Sequence, residues 1–210
     1  MRIAILLYDR FTALDAIGPY ESLGHLPGWE PVFVAERPGP VANETGNLRL
    51  VAEAALEEVP DPDIVLVPGS PFCAAQQTNS KVLAWLRRAD ATSTWTTSVC
   101  SGSVILAAAG LLQGRRATTH WAFMEELAAL GAEPVEERYV FDGKYVTSAG
   151  VSAGIDMGLA LSGRIAGDEV AQVSQLLMQY DPEPPYGAGS PQTAPPEVLA
   201  KAVEVLRATL

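Results

Sequence analysis

Residues Thr97–Leu112 read TSVCSGSVILAAAGLL. A run rich in β-branched and apolar residues, Trp95–Val99, stops at Cys100, and apolar residues at helical spacing follow within a few positions. The pattern predicts a strand, a sharp turn through Cys100, Ser101 and Gly102, and a helix over Val104–Leu112. A strand feeding directly into a helix is the repeating joint of α/β architectures. One of the chain's two cysteines occupies that joint, where small neighbours permit a tight turn and let a ligand approach the backbone.

Outward from this joint the same alternation recurs. Ile3–Tyr8, Val32–Ala35, Ile64–Pro68, Trp95–Val99 and Lys144–Gly150 are nearly continuous apolar runs. Such runs predict strands covered on both faces, as in a parallel sheet. Helical spacing appears over Lys81–Ala89, Val104–Leu112 and Trp121–Ala132, the last closed by Gly131. Asp142-Gly143 joins two strand-like runs and predicts a hairpin. Helices are expected from Ser152 to Ala166 and from Asp168 to Gln179, with Asp168 as the N-cap of the second. Asp181–Glu197, DPEPPYGAGSPQTAPPE, reads as an extended arm, and a final helix covers VLAKAVEVLRATL. The expected fold is α/β: a single domain over residues 1–210, doubly wound, with a mainly parallel sheet and helices on both faces.

With 210 residues, 48% of them hydrophobic, the chain can build a core of its own. A net charge of −11 and the lack of any Lys/Arg stripe argue against nucleic acid as a partner. No run approaches the ~20 apolar residues of a membrane span, and MRIAILLY lacks a cleavage site, so a cytoplasmic protein is expected. Cys73 and Cys100 form neither a metal-ligand spacing nor a disulfide framework, and no metal or organic cofactor is expected.

In parallel sheets ligands bind beyond the carboxyl ends of the strands, and three such junctions carry reactive residue types. At the first, Cys100 is either a nucleophile or a small buried hydrophobe. As a nucleophile it would sit at a helix amino end, whose free N–H groups favour a thiolate. At the second, VPGSPF, the Gly69 and Ser70 amides either form half of an oxyanion hole facing the Ser101 amide or make a plain turn. At the third, Asp15 either caps a helix or points over the sheet edge at the thiol, with Glu21 replacing or supporting it. His25 reads as structural or exposed. His120 is a candidate Cys–His partner, although nothing in the spacing aligns it with Cys100. Cys73, on the Gly69 loop, raises the alternative of a regulatory disulfide.

Together these residues resemble the ThiJ/PfpI superfamily, similar in fold to the class I glutamine amidotransferases. The resemblance runs through MRIAILLYDRFTALDAIGPYE, VPGS, SVCSGSVILAAAGLL, RRATTHW, TSAGVSAGIDMGLAL and QYDPEPPYGAGSP. Within it, LDAIGPYE, VCSGS and YDPEPPYGAGSP look like the isonitrile (isocyanide) hydratases. The resemblance implies a flavodoxin-like sandwich, Cys100 as nucleophile, Asp15 as acid/base and the Ser101 hydroxyl assisting Asp15 where relatives usually carry threonine. It also implies a homodimer in which the arm beginning at Asp181 borders the partner's pocket. The activity it implies is addition of water to a small-molecule isocyanide through a cysteine thioimidate, giving an N-substituted formamide. A glyoxalase- or deglycase-like thiol chemistry is the alternative, weakened because Ser101 stands where such enzymes usually place histidine. A ligand- or redox-sensing module is a third reading, weakened because no helix-turn-helix follows the last helix.

Overall fold

The structure, a computed structural model, describes residues 1–209. The chain opens with β1 (Arg2–Leu6), α1 (Ala13–Leu23) and β2 (Glu30–Ala35). An excursion follows through β3 (Gly39–Ala42), β4 (Arg49–Ala52) and β5 (Ala54–Ala55) before β6 (Ile64–Val67), α2 (Ala74–Gln77) and α3 (Ser80–Thr92). Next come β7 (Trp95–Val99), α4 (Gly102–Ala108), β8 (Arg116–Ala117), α5 (Met124–Ala129) and β9 (Glu133–Pro134). The hairpin β10 (Tyr139–Asp142) and β11 (Tyr145–Ser148) then leads to α6 (Ala153–Ala166), α7 (Asp168–Leu177) and α8 (Pro196–Thr209).

Seven strands form the central sheet in the order β10-β11-β7-β6-β1-β2-β5, parallel except for β10. Ile3, Ile5, Ile64 and Leu66 are fully buried because helices cover both faces, and this double covering is why their runs do not alternate. α1, α6 and α7 pack together, while α2, α3 and α5 gather around α4. The α1–α6 crossing is close: a Cβ on Gly158 would collide with the Ser22 side chain. From β1 the chain steps outward to β2, then returns to β6 on the other side of β1. The carboxyl ends of β1 and β6 therefore flank the point where the strand order reverses, the place where such sheets open a crevice.

The expected strands and the Asp142-Gly143 hairpin are present, with Gly143 at φ +61°. Three details differ. The helix expected at Val104–Leu112 starts earlier and ends at Ala108, because Gly110 turns the chain at φ +83°. Trp121–Phe123 forms a tighter 3-10 turn before α5. Gly167, not Asp168, holds the N-cap position of α7, since the turn out of α6 requires φ +92°, and Asp168 becomes the first helical residue. The expected end of the last helix, Leu210, lies outside the described residues. Among those residues no helix is long and apolar enough to cross a membrane.

Candidate active site

Cys100 sits on the turn between β7 and α4 with φ +58°, a left-handed conformation that costs energy for any residue carrying a Cβ. Its surroundings hold it there. The Cys100 N–H donates to the carbonyls of Ser148 and Ala149, both at 3.1 Å. Its carbonyl accepts from Thr119 Oγ1 at 3.0 Å and Ser103 Oγ at 3.2 Å. The backbone N–H groups of Ser101 and Val151 favour the anionic form of the sulfur. Cys100 is 5% exposed and opens onto a cavity of about 390 Å³ whose wall includes Arg10, Thr12, Glu44, Phe72, His120 and Val151.

Asp15, in the first turn of α1, is fully buried. Its Oδ2 accepts the Gly69 N–H at 2.9 Å, while Oδ1 has no hydrogen-bond partner. Burial pushes the carboxyl up to about 8, and the nearby charge of Glu44 adds to the rise. The Gly69 N–H and the Cys100 side chain pull the other way. Burial also raises the Cys100 thiol well above its ordinary range, reinforced by Asp15 and opposed by the Ser101 and Val151 N–H groups. At neutral pH the resting pair is a carboxylic acid facing a thiol.

That pair corrects the expectation of a resting thiolate. α4 has only seven residues, and a helix terminus contributes ~0.3–1 kcal/mol near the surface. Full burial of a titratable group moves its pKa by up to ~3–5 units, and desolvation wins.

The Gly69 and Ser70 amides lie at the site but are not free donors for an oxyanion. Gly69 N–H serves Asp15, and Ser70 N–H donates to Ser101 Oγ at 2.9 Å. Ser101 in turn does not reach Asp15. Its hydroxyl donates to the Ser70 carbonyl at 2.7 Å, stitching the elbow to the β6 loop, whose N–H and C=O need partners once buried. The loop approaches closely because residue 69 is glycine: a Cβ there would stand 2.5 Å from Ser101 N and 2.8 Å from Cys100 Cβ.

Glu21 is exposed, on the solvent side of α1, and is no substitute for Asp15. Glu44 is the second carboxyl at the pocket. It accepts a hydrogen bond from Thr12 Oγ1 and is brought in by the bend between β3 and β4, where its N–H donates to the Phe11 carbonyl at 3.0 Å. The sequence offered no period or motif there. Val151 was equally hidden, since any backbone N–H can fill its role; the Gly150-Val151 turn before α6 was its only trace.

His120 shares the cavity with Cys100 although the spacing did not align them. Its Nδ1 accepts the Ala122 N–H at 3.3 Å, and burial lowers its pKa, so the ring is neutral at neutral pH. His25 is exposed, with Nδ1 3.2 Å from Ser174 Oγ on α7, a structural position. Asp181 is exposed at the start of the arm, outside this cavity's wall. Cys73 is buried beside the Ser101 hydroxyl, and both cysteines are free thiols.

A cysteine elbow at the carboxyl end of β7, next to the reversal point between β1 and β6 and faced by a buried carboxyl, defines a thiol-bearing protein of the flavodoxin-like class. Residues 1–163 match the DJ-1/PfpI family, and the chain belongs to it. It is 41% identical over 202 residues to the isonitrile hydratase of Pseudomonas putida, across 96% of this chain and 88% of that one. It is also 30% identical over 150 residues to a deglycase of Pyrococcus abyssi, across 70% of this chain and 89% of the deglycase. A solved ThiJ/PfpI family protein from Pseudomonas syringae superposes with a TM-score of 0.95 at 38% identity, covering 99% of this chain and 86% of that one.

Proposed function

We propose that the protein adds water to isocyanides, R–N≡C, and releases N-substituted formamides, a hydro-lyase reaction. The observation that carries this reading is a fully buried carboxyl, one oxygen of which has no hydrogen-bond partner, set beside a buried thiol. The terminal carbon of an isocyanide takes up a proton and a nucleophile at the same atom, and these two neutral groups supply both. The identity to the Pseudomonas putida hydratase over nearly the whole chain supports the same substrate class.

Asp15 gives its proton to the terminal carbon as the Cys100 sulfur bonds to it, and the thiol proton passes to the Asp15 carboxylate. The carboxyl ends the step as it began, and the product is the thioimidate R–N=CH–S–Cys100. The Ser101 and Val151 N–H groups stabilise negative charge that develops on sulfur during the exchange. Water then adds to the same carbon while Asp15 protonates the nitrogen and takes a proton back from the water. Collapse of the adduct breaks the C–S bond, and the adduct's hydroxyl proton returns to sulfur, leaving R–NH–CHO and the free thiol. Because the carboxyl must be protonated, the rate falls as pH rises past about 8.

Purified, reduced protein incubated with cyclohexyl isocyanide is expected to produce the formyl proton signal of the formamide by NMR. Cys100→Ser and Asp15→Asn are each expected to lower that rate at least ~100-fold. No formamide from the wild type refutes the reading. A 2-oxoaldehyde chemistry at the same thiol is the second reading, favoured by His120 in the Cys100 cavity and by the deglycase relative. Lactate formed from methylglyoxal in place of formamide selects it. Pairing of two copies is supported by the exposed Leu176 and Leu177 on α7 and Tyr186 in the arm, and light scattering at the mass of a monomer refutes it.

A further inference from the structure

Cys100 lines the cavity with Asp15 buried behind it, and α8 supplies part of the wall. After α7 the chain runs without helix or strand to Pro196, and α8 then returns to the opening, where Leu206 and Thr209 stand in the same wall as Cys100. Leu199, Ala202, Val203 and Leu206, spaced as one helical stripe, are half-buried, while no described residue of α8 is fully buried. The side-chain hydrogen bonds recorded within α8, Lys201 to Glu204 and Thr209 to Val205, are internal to the helix. The helix is thus seated by a narrow apolar stripe that ends at the cavity.

Phe123, Val151 and Leu206 give the cavity apolar surface, whereas its acidic group is Glu44 and the Arg10 guanidinium is stacked over the Phe72 ring, 3.0 Å from the centroid. An uncharged hydrocarbon substituent fits the Phe123, Val151 and Leu206 surfaces. We propose that Leu206 is a specificity-determining residue: its side chain is the outer stop for the isocyanide's N-substituent, admitting compact hydrocarbon groups and rejecting bulky ones. The identity of the substrate rests on the hydration reading. The stop itself acts on any reagent that travels to Cys100.

The test follows from that difference. Alkylation of Cys100 in the full chain is timed with a small reagent, iodoacetamide, and a bulky one, N-pyrenylmaleimide, with peptide mass spectrometry separating Cys100 from Cys73. The bulky-to-small rate ratio is expected to rise at least ~10-fold in Leu206→Ala and to fall in Leu206→Trp. Thr209→Trp, at an exposed position, narrows the same mouth and is expected to lower the ratio as well. The kcat/KM ratio for adamantyl over isopropyl isocyanide is expected to move in the same directions. An alkylation ratio unchanged in both Leu206 variants overturns the assignment, whatever the turnover. A shifted alkylation ratio without formamide from any variant keeps Leu206 as the stop and removes the hydration reading alone.

Discussion

Replacing Asp15 by asparagine offers a direct measure of how far burial holds its carboxyl protonated. In the unfolded chain the group titrates near 3.8, and in the folded protein it is pushed up to about 8. The folded state therefore holds a proton that the unfolded state has released. The stability this carboxyl contributes is fully present below the unfolded value and is lost as pH rises toward about 8. The gap corresponds to roughly 6 kcal/mol, with a slope of about 1.4 kcal/mol per pH unit through the window. Asparagine keeps a carbonyl to accept the Gly69 N–H but has no proton to lose. Urea denaturation of both proteins from pH 5 to pH 8 is the assay. The stability of Asp15→Asn is expected to gain on the wild type by on the order of 4 kcal/mol across that range. His120 titrates alike in both proteins and cancels in the difference, while the Cys100 thiol ionises above the window. Parallel curves would mean that the carboxyl at position 15 is an ordinary carboxylate, which gives no such divergence.

Three further substitutions probe the supports of the site. Gly69→Ala places a Cβ 2.5 Å from Ser101 N, so the elbow must shift; a loss of about 1–3 kcal/mol in urea titration and a fall in formamide production are expected. Ser101→Ala strands the buried Ser70 N–H, while the Ser70 carbonyl keeps the Cys73 N–H, and a loss of about 1–3 kcal/mol is expected by the same measurement. Glu44→Gln removes a charge that raises the Asp15 carboxyl. The alkaline limb of the kcat/KM profile is therefore expected to move to lower pH, and an unmoved limb rules out coupling between the two carboxyls.

Much of this protein was legible before folding. Strands buried on both faces betray themselves by unbroken apolar runs, helices by their spacing, and the joint between them by where one pattern replaces the other. Cys100 was found in that way, because a turn between β7 and α4 is a local event written in adjacent residues. Asp15 was found as one of two readings, and tertiary packing chose between them by placing it against the Gly69 N–H. Glu44, Val151 and Leu206 arrive from the β3–β4 bend, the start of α6 and the last helix, and no local rule joins segments so far apart in the chain.

Residue order along the chain is enough to set the alternation of strands and helices, and with it the sheet edge at which reactive groups gather. Their protonation and their hydrogen-bond partners depend on packing between distant segments. Desolvation is a sum over every neighbour that excludes water, and it outweighs the one feature a sequence displays, the start of a helix behind the sulfur. For the same reason the Gly69 and Ser70 amides, nominally donors for an oxyanion, were claimed by Asp15 and Ser101: a buried N–H bonds to whichever acceptor the fold brings within reach.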